Sequence, residues 1–412
     1  MAGRLAAALA VALTVSAVPA RADLVAANAA FDRGDWATAL TEYTALADAG
    51  DADAQAMLGR MYRSGTGVEA DAVQALAWYR QAAGQGHAVA QLVLGSMYDA
   101  GEGVAVDKAS AALWYRRSAE QGNAVAQFNL ANVYEYGEGV EANASLARDW
   151  YQRAAEAGSA DAMLRLGAMF ETGDGVEASA ERAIAWYRKA AAAGQDVAQT
   201  LLGNRYDTGE GVAKDKREAL KWYRLAAEQA NASARFYLAY MYDVGDGVPE
   251  DKGKAARWYR LAAEQGSSRA QSNLGLLYEL GEGVDKDNIE ALKWYRRAAE
   301  QDHAPAQYNI GNLYYSGDGV PQNKREAARW YRLAGEGGFA DAQLLLGLMH
   351  FQGEGIEKNP VEAYAWWSLA AAQGKALARA NRDALEESLS ADELSEGQAL
   401  LEALRTAVAA ER

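Results

Sequence analysis

The sequence predicts an all-α fold, a solenoid of nine 36-residue helix-turn-helix repeats with capping helices at both ends. Three observations carry that prediction. Tryptophan recurs every 36 residues from Trp78 to Trp366 without an insertion or deletion. Leu-Gly, an aromatic residue, a Gly-x-Gly-Val loop and Ala-x-x-Trp-Tyr keep the same step, with Gln271 to Ala299 as one clean copy. Within each copy the apolar residues fall at helical spacing, as Ala54, Leu58 and Tyr62 do, and then Ala75, Trp78, Tyr79 and Ala82. A fixed period of this size marks stacked units, each unable to bury its apolar face without a neighbour.

Residues 1–22 read as a signal peptide. Met1 to Arg4 is short and basic, Leu5 to Val18 is apolar, and Ala20-Arg21-Ala22 offers small residues around a cleavage point. The apolar run falls short of the ~20 residues that span a bilayer. No cysteine is present, which excludes both a lipid-bearing cleavage site and a disulfide framework. The expected location is periplasmic or secreted, with no membrane insertion after cleavage. Cleavage removes Arg4 and Arg21 from 41 basic residues and none of the 56 acidic ones, so the net charge moves from −15 to −17. Such a surface repels nucleic acid and anionic membranes. A monomer is expected.

Residues 23–50 read as an opening helix pair split at Gly34-Asp35, with Tyr43 aligned to Tyr79. Residues 51–374 hold the nine repeats, each of two helices, A and B. The column Asp71, Asp107, Asn143, Ser179, Asp215, Asp251, Asp287, Asn323, Asn359 contains only good N-cap residues and starts helix B. Gly65 and its equivalents end helix A, and Gly86 and its equivalents close helix B, in left-handed caps. Ala230 and Asp302 replace that closing glycine, so two turns are expected to differ. The tryptophans are expected to fill the core beside the alanine column Ala75, Ala111, Ala147. Residues 375–412 read as two capping helices, the second opened by the capping box Ser390-x-x-Glu393.

These motifs resemble the Sel-1-like repeat family, an α/α relative of the tetratricopeptide repeat, over Asp51 to Gly374 as nine units. The departures are local: Ala131 and Ala239 replace the helix A glycine, Met163 and Arg235 the glutamine, and His350 the tyrosine. The resemblance implies a right-handed superhelix with helix A on its concave side. It also implies roles in envelope assembly, polysaccharide export, host interaction or restraint of sensor kinases.

The chemistry that the sequence excludes is as informative. The Gly-x-Gly loops lack a third glycine and follow no strand, so they are helix-capping turns and not phosphate cradles. Their middle residue is acidic in eight repeats (Glu102, Glu138, Asp174, Glu210, Asp246, Glu282, Asp318, Glu354), a ladder read as a solvated rim. His87, His303 and His350 lie in three different repeats, which leaves no local zinc site. Some family members are linked to penicillin binding or hydrolysis, yet Ser-x-x-Lys, Lys-Thr-Gly and Gly-x-Ser-x-Gly are all missing. No catalytic residue, cofactor or metal is expected. The arginine column Arg80, Arg116, Arg188, Arg224, Arg260, Arg296, Arg332 reads as an outer face, with Glu120, Glu228, Glu264, Glu300 and Glu336 four residues on as weak partners.

With Leu58 at the centre of the buried stripe, positions 53, 57, 60 and 64 point away from the core. Their equivalents include Asn129, Asn132, Tyr136, Arg165, Asn204, Tyr237, Tyr240, Asn273, Asn309 and Asn312. Amides can grip the main chain of an extended peptide and tyrosines add contact area. This row is the expected peptide-binding groove, free of core duty, of a scaffold that binds a protein or peptide partner in the cell envelope. An envelope enzyme of penicillin-binding type and a structural subunit of an export complex are the alternatives. Export predicts cleavage near Ala22, after Ala20 or Ala22. N-terminal sequencing of precursor-free protein checks this, and a mature chain still beginning at Met1 or Ala2 contradicts it.

Overall fold

The computed structural model describes residues 23–410, so the expected signal peptide lies outside the described residues. Among those described, every regular element is a helix. The fold is an all-α solenoid of helix pairs. It divides into two compact units, one ending at Trp186 and the other beginning at Tyr187.

Each helix pair follows from local chemistry. In the sixth repeat, Asn231 Oδ1 accepts from the Ala234 amide and starts helix A, Ala232–Val244. Gly245 ends it in the left-handed conformation at φ 71°. Asp251 then caps helix B, Lys252–Glu264, through the Lys254 amide.

The two helices of a repeat lock through an aromatic ring in a notch. A Cβ at Gly95 would stand 2.7 Å from the Tyr115 ring, and one at Gly275 would stand 2.7 Å from that of Tyr295. In these repeats glycine lets the ring lie against the backbone of helix A. Tyr223, Tyr295 and Tyr331, opposite such glycines, are among the largest fully buried side chains, and so are Tyr151 and Tyr259, which face alanine. Here the expectation for the tryptophans needs correcting. Trp294 and Trp366 are buried, but Trp78, Trp114, Trp150, Trp222, Trp258 and Trp330 are only partly so. They pack on the core shared with the preceding repeat, as Trp114 does on the cluster that joins Tyr79 of the first repeat to Leu94 of its own. The tyrosine is the core of a repeat and the tryptophan its mortar. Where Ala131 and Ala239 replace the notch glycine, Phe128 and Phe236 stand three residues earlier and meet Tyr151 and Tyr259 at 5.6 and 5.8 Å between ring centroids.

Successive repeats are joined by backbone approach and by buried amides. The second glycine of most loops rests on the start of the previous helix B: a Cβ at Gly283 would lie 2.2 Å from the Lys252 carbonyl carbon. Gln91 donates to the Ala83 carbonyl at 3.1 Å and accepts from Gln121 at 2.7 Å. Gln199, Gln271 and Gln343 repeat the first contact, and Gln229, Gln301 and Gln373 the second. Arg235 reproduces the pattern with a guanidinium, reaching Ala227 at 3.1 Å and Gln265 at 2.9 Å. The arginine column also joins repeats. Arg80 and Arg296 each donate to the hydroxyl of the next repeat's tyrosine, Tyr98 and Tyr314, at 2.8 Å.

The ends differ as expected. Leu24–Asp32 and Trp36–Asp48 form the opening pair, and Tyr43 donates to Asn28 at 2.6 Å. Ala376–Glu386 and Ala391–Ala410 close the chain, and Leu401 and Leu404 of the last helix pack on the cluster containing Trp366. The capping box forms: Ser390 N–H donates to Glu393 at 2.9 Å and Glu393 N–H to Ser390 at 3.3 Å.

Ala230 and Asp302 correct a second expectation. Their φ values of 68° and 57° keep the left-handed turn that glycine makes elsewhere, and the same helix-closing backbone bonds form, from Ala230 to Ala227 and Asn231 to Ala226, and from Asp302 to Ala299 and His303 to Ala298. A Cβ in that region costs about 1–2 kcal/mol, partly offset by the greater freedom of glycine in the unfolded chain. Ala230→Gly should therefore raise unfolding stability by up to about 1 kcal/mol, as read from urea denaturation, whereas a loss of stability would show that the turn carries no strain.

Candidate functional site

The asparagine row is not free of core duty. A tyrosine that crosses helix A, against the notch glycine or the alanine that replaces it, brings its hydroxyl out beside the row. Tyr223 donates to Asn204 Oδ1 at 2.5 Å, Tyr331 to Asn312 Oδ1 at 2.8 Å and Tyr151 to Asn132 Oδ1 at 2.5 Å. Asn273 reaches back to Tyr259 of the preceding repeat, its Nδ2 donating at 2.9 Å, and Asn309 stands beside Tyr295 in the same way. These amides are half-buried, and each serves a tyrosine. The helical wheel misplaced them because it treats helix A alone and knows nothing of a ring arriving from helix B.

The other residues of the row separate by surroundings. Asn129 and Asn132 share a pocket of about 320 Å³ with Tyr136, Asp99, Tyr115 and Glu138. Arg165 donates to the Tyr136 hydroxyl at 2.7 Å and lies 3.7 Å from Glu135. Tyr237 stacks on Tyr223, with ring centroids 5.2 Å apart, and belongs to the packing. Tyr240 is exposed.

A column of carboxylates, overlooked in the sequence, runs beside this row at the ends of the A helices: Asp99, Glu135, Glu171, Asp207, Asp243 and Glu279. Its regular step of 36 residues was the signal that could have revealed it. Tyr295 donates to Glu279 at 2.7 Å and Tyr259 to Asp243 at 3.1 Å. Burial, and then the neighbouring carboxylate, push these phenols above their ordinary range and hold them neutral. Burial and Asp99 likewise push Tyr115 up to about 12.

Lysines at the start of helix B clamp this column to the loop ladder. Lys108 lies 2.7 Å from Asp99 and 3.1 Å from Glu138, and Lys252 lies 2.9 Å from Asp243 and 3.2 Å from Glu282. Lys216 pairs with Asp207 at 2.5 Å and also with Asp246. Arg63 reaches Glu102 at 2.7 Å. Much of the supposed solvated rim is thus a set of ion pairs between adjacent repeats.

The helix A face also carries an apolar patch that the search for polar grips passed over. Tyr240 and Val244 on Ala232–Val244, and Leu276 and Leu280 on Ser268–Leu280, are 46, 49, 41 and 54 % exposed. They occupy the same two positions of adjacent repeats. Nearby, a pocket of about 330 Å³ is lined by Glu279, Asn312, Tyr315, Asp318, Leu345 and Leu348 among others.

The Sel1 repeat model matches nine consecutive segments from 52–87 to 340–375. The chain belongs to the Sel1 repeat family. No curated protein matches it. Among solved structures, this Sel1 repeat chain is similar to c5321, a protective antigen present in uropathogenic Escherichia coli strains that displays an SLR fold. The two are 35 % identical over 90 % of this chain and 81 % of the other, with a TM-score of 0.79. It is also similar to a Sel1 repeat protein from Oxalobacter formigenes, at 35 % identity over 75 % and 90 % of the two chains and a TM-score of 0.58. Sel1 repeat proteins are typically protein-interaction scaffolds.

Among the described residues of this Sel1 repeat protein no group of His, Cys, Asp and Glu could hold a metal ion, and no helix is long and apolar enough to cross a membrane. His87 caps a helix through Nδ1 and the Ala90 amide at 3.0 Å. Burial lowers the pKa of His303 and of His350. The helix A face offers apolar side chains, half-used amides and paired acids. The amides now carry a measurable structural burden. Asn312→Ala should cost about 1–2 kcal/mol by stranding the Tyr331 hydroxyl, and adding Tyr331→Phe should recover part of that loss. A urea-denaturation double-mutant cycle reads the coupling, and strictly additive effects would contradict the bond.

Proposed function

We propose that this chain is a non-catalytic scaffold that docks a protein or peptide partner on the helix A face of its repeats, outside the cytoplasm. The patch formed by Tyr240, Val244, Leu276 and Leu280 carries the reading. Four exposed apolar side chains stand at equivalent positions of adjacent A helices, and apolar surface of this kind marks interaction sites. Asn204, Asn273 and Asn312, on the same helix A face, have hydrogen-bonding capacity beyond the single bond each makes to a tyrosine. The family's scaffold character supports the reading. Similarity to a protective antigen, together with the leader-like residues 1–22, supports placement in the periplasm or outside the cell.

A photo-crosslinking residue at Leu276, compared in living cells with one at Leu261 on the exposed side of helix B, tests the choice of face. A discrete adduct is expected from position 276. Leu276→Glu with Leu280→Glu should weaken the isolated complex at least tenfold, which requires only ~1.4 kcal/mol, without lowering the unfolding midpoint. Adducts from position 261 alone, or a complex indifferent to the double substitution, would place the partner elsewhere.

A further inference from the structure

The seventh repeat lacks the cation that its sisters use. Where the second, fifth and sixth repeats carry Lys108, Lys216 and Lys252 between two carboxylates, the seventh carries Asn288. Both carboxylates are still present as Glu279 and Asp318, and among the described residues neither forms an ion pair. In the third repeat Arg165 approaches Glu135 from the following helix A. The residue at that position after Glu279 is Asn309, which is neutral.

Glu279 and Asp318 line the same pocket of about 330 Å³. Leu345, Leu348 and Met349 supply an apolar wall, and Asn312, Tyr315 and Ser316 polar edges. Glu354, also on the pocket, is already engaged by the Tyr315 hydroxyl at 2.8 Å and by Lys324 at 3.0 Å. Asn288 Oδ1 is buried without a hydrogen-bond partner, so the residue that replaced the lysine does not supply what the lysine did.

We propose that this pocket receives the side chain of a lysine from the partner, whose ammonium stands between Glu279 and Asp318 as Lys252 stands between Asp243 and Glu282. The four-carbon stem fits the apolar wall at Leu345 and Leu348 while the charged head reaches the carboxylates. Two like charges on one concave surface favour an incoming cation over a neutral group. The sister repeats show that this arrangement of carboxylates holds a primary ammonium. The identity of the occupant as a partner's lysine rests on the helix A face being the docking surface.

The test uses Nα-acetyl-lysine methylamide as the probe and the norleucine analogue, which lacks the ammonium, as its control. Methyl NMR of Leu345, Leu348 and Met349 in the full chain reads binding. Saturable shifts are expected with the lysine probe, at least tenfold weaker with norleucine and at least tenfold weaker in Glu279→Gln, which keeps an acceptor for Tyr295. Asn288→Lys should fill the site from within and abolish the shifts while leaving the fold intact, since lysine already occupies this position beneath the loop glycine in four other repeats. Equal response to both probes, no saturation by the lysine probe, or undiminished binding to folded Asn288→Lys overturns the proposal. Failure of the lysine probe while Leu276→Glu still disrupts the partner complex removes the pocket and leaves the docking face. Probe binding as described, with a complex indifferent to Leu276→Glu, removes the docking face and leaves an alkylammonium site.

Discussion

A tyrosine ring lying across the backbone of helix A is the contact on which the rest of each repeat depends. Glycine at the notch brings the ring within the space a Cβ would occupy, at 2.5 Å for Gly311 and Tyr331. That approach buries the ring completely and commits the hydroxyl to a place water scarcely reaches. A buried hydroxyl without a partner costs about 1–3 kcal/mol, so every repeat must supply an acceptor or donor there. Asn204 and Asn312 do so from the same repeat, Asn273 from the next, and Glu279 and Asp243 from the acid column. The row of asparagines is thus a consequence of the notch.

The joints between repeats follow a second rule, in which polar groups that cannot reach water are shared across the boundary. The glutamine pairs satisfy helix-end carbonyls, and the arginines hold the next repeat's tyrosine hydroxyl. The lysines tie an acid at the end of one helix A to an acid in the following loop. Most of these contacts are partly exposed, where single ion pairs contribute modestly. Their value lies in register, since the glutamine pairs and the lysine bonds to the loop acids link residues 30 positions apart, and the arginine–tyrosine bonds 18 apart, and so fix one repeat upon the next. Where a partner is missing the gap is visible: the Oε1 atoms of Gln127 and Gln307 lack a bond where Ala157 and Gly337 stand in the position of Gln121.

Once these structural claims are met, the surface left for recognition is smaller than the sequence suggested and of a different kind. The amides are half-used and Tyr237 is packed on Tyr223. The exposed apolar pair on each of two adjacent A helices is unclaimed, and Glu279 and Asp318 have no cationic partner among the described residues. A partner that offers apolar anchors and a basic residue suits this face better than a neutral extended strand held by its main chain.

By itself the sequence determined the fold class, the two helices of each repeat, their caps and the closing helices. Those depend on period, glycine placement and N-cap chemistry, all local to a few residues. The leader at residues 1–22 remains an expectation. Only the tertiary structure decided which aromatic is the core and what the asparagines do. It also showed that Ala230 and Asp302 keep a glycine-like turn, and which charges are paired. Each of these turns on a side chain from one helix meeting the backbone or side chains of another, and a helical wheel drawn for a single helix contains no such term. The acid column and the lysine at its foot stood in the sequence at the same step of 36 residues as the tryptophans. Their pairing needed the distance between the end of one helix and the loop of the next repeat, which the fold alone supplies.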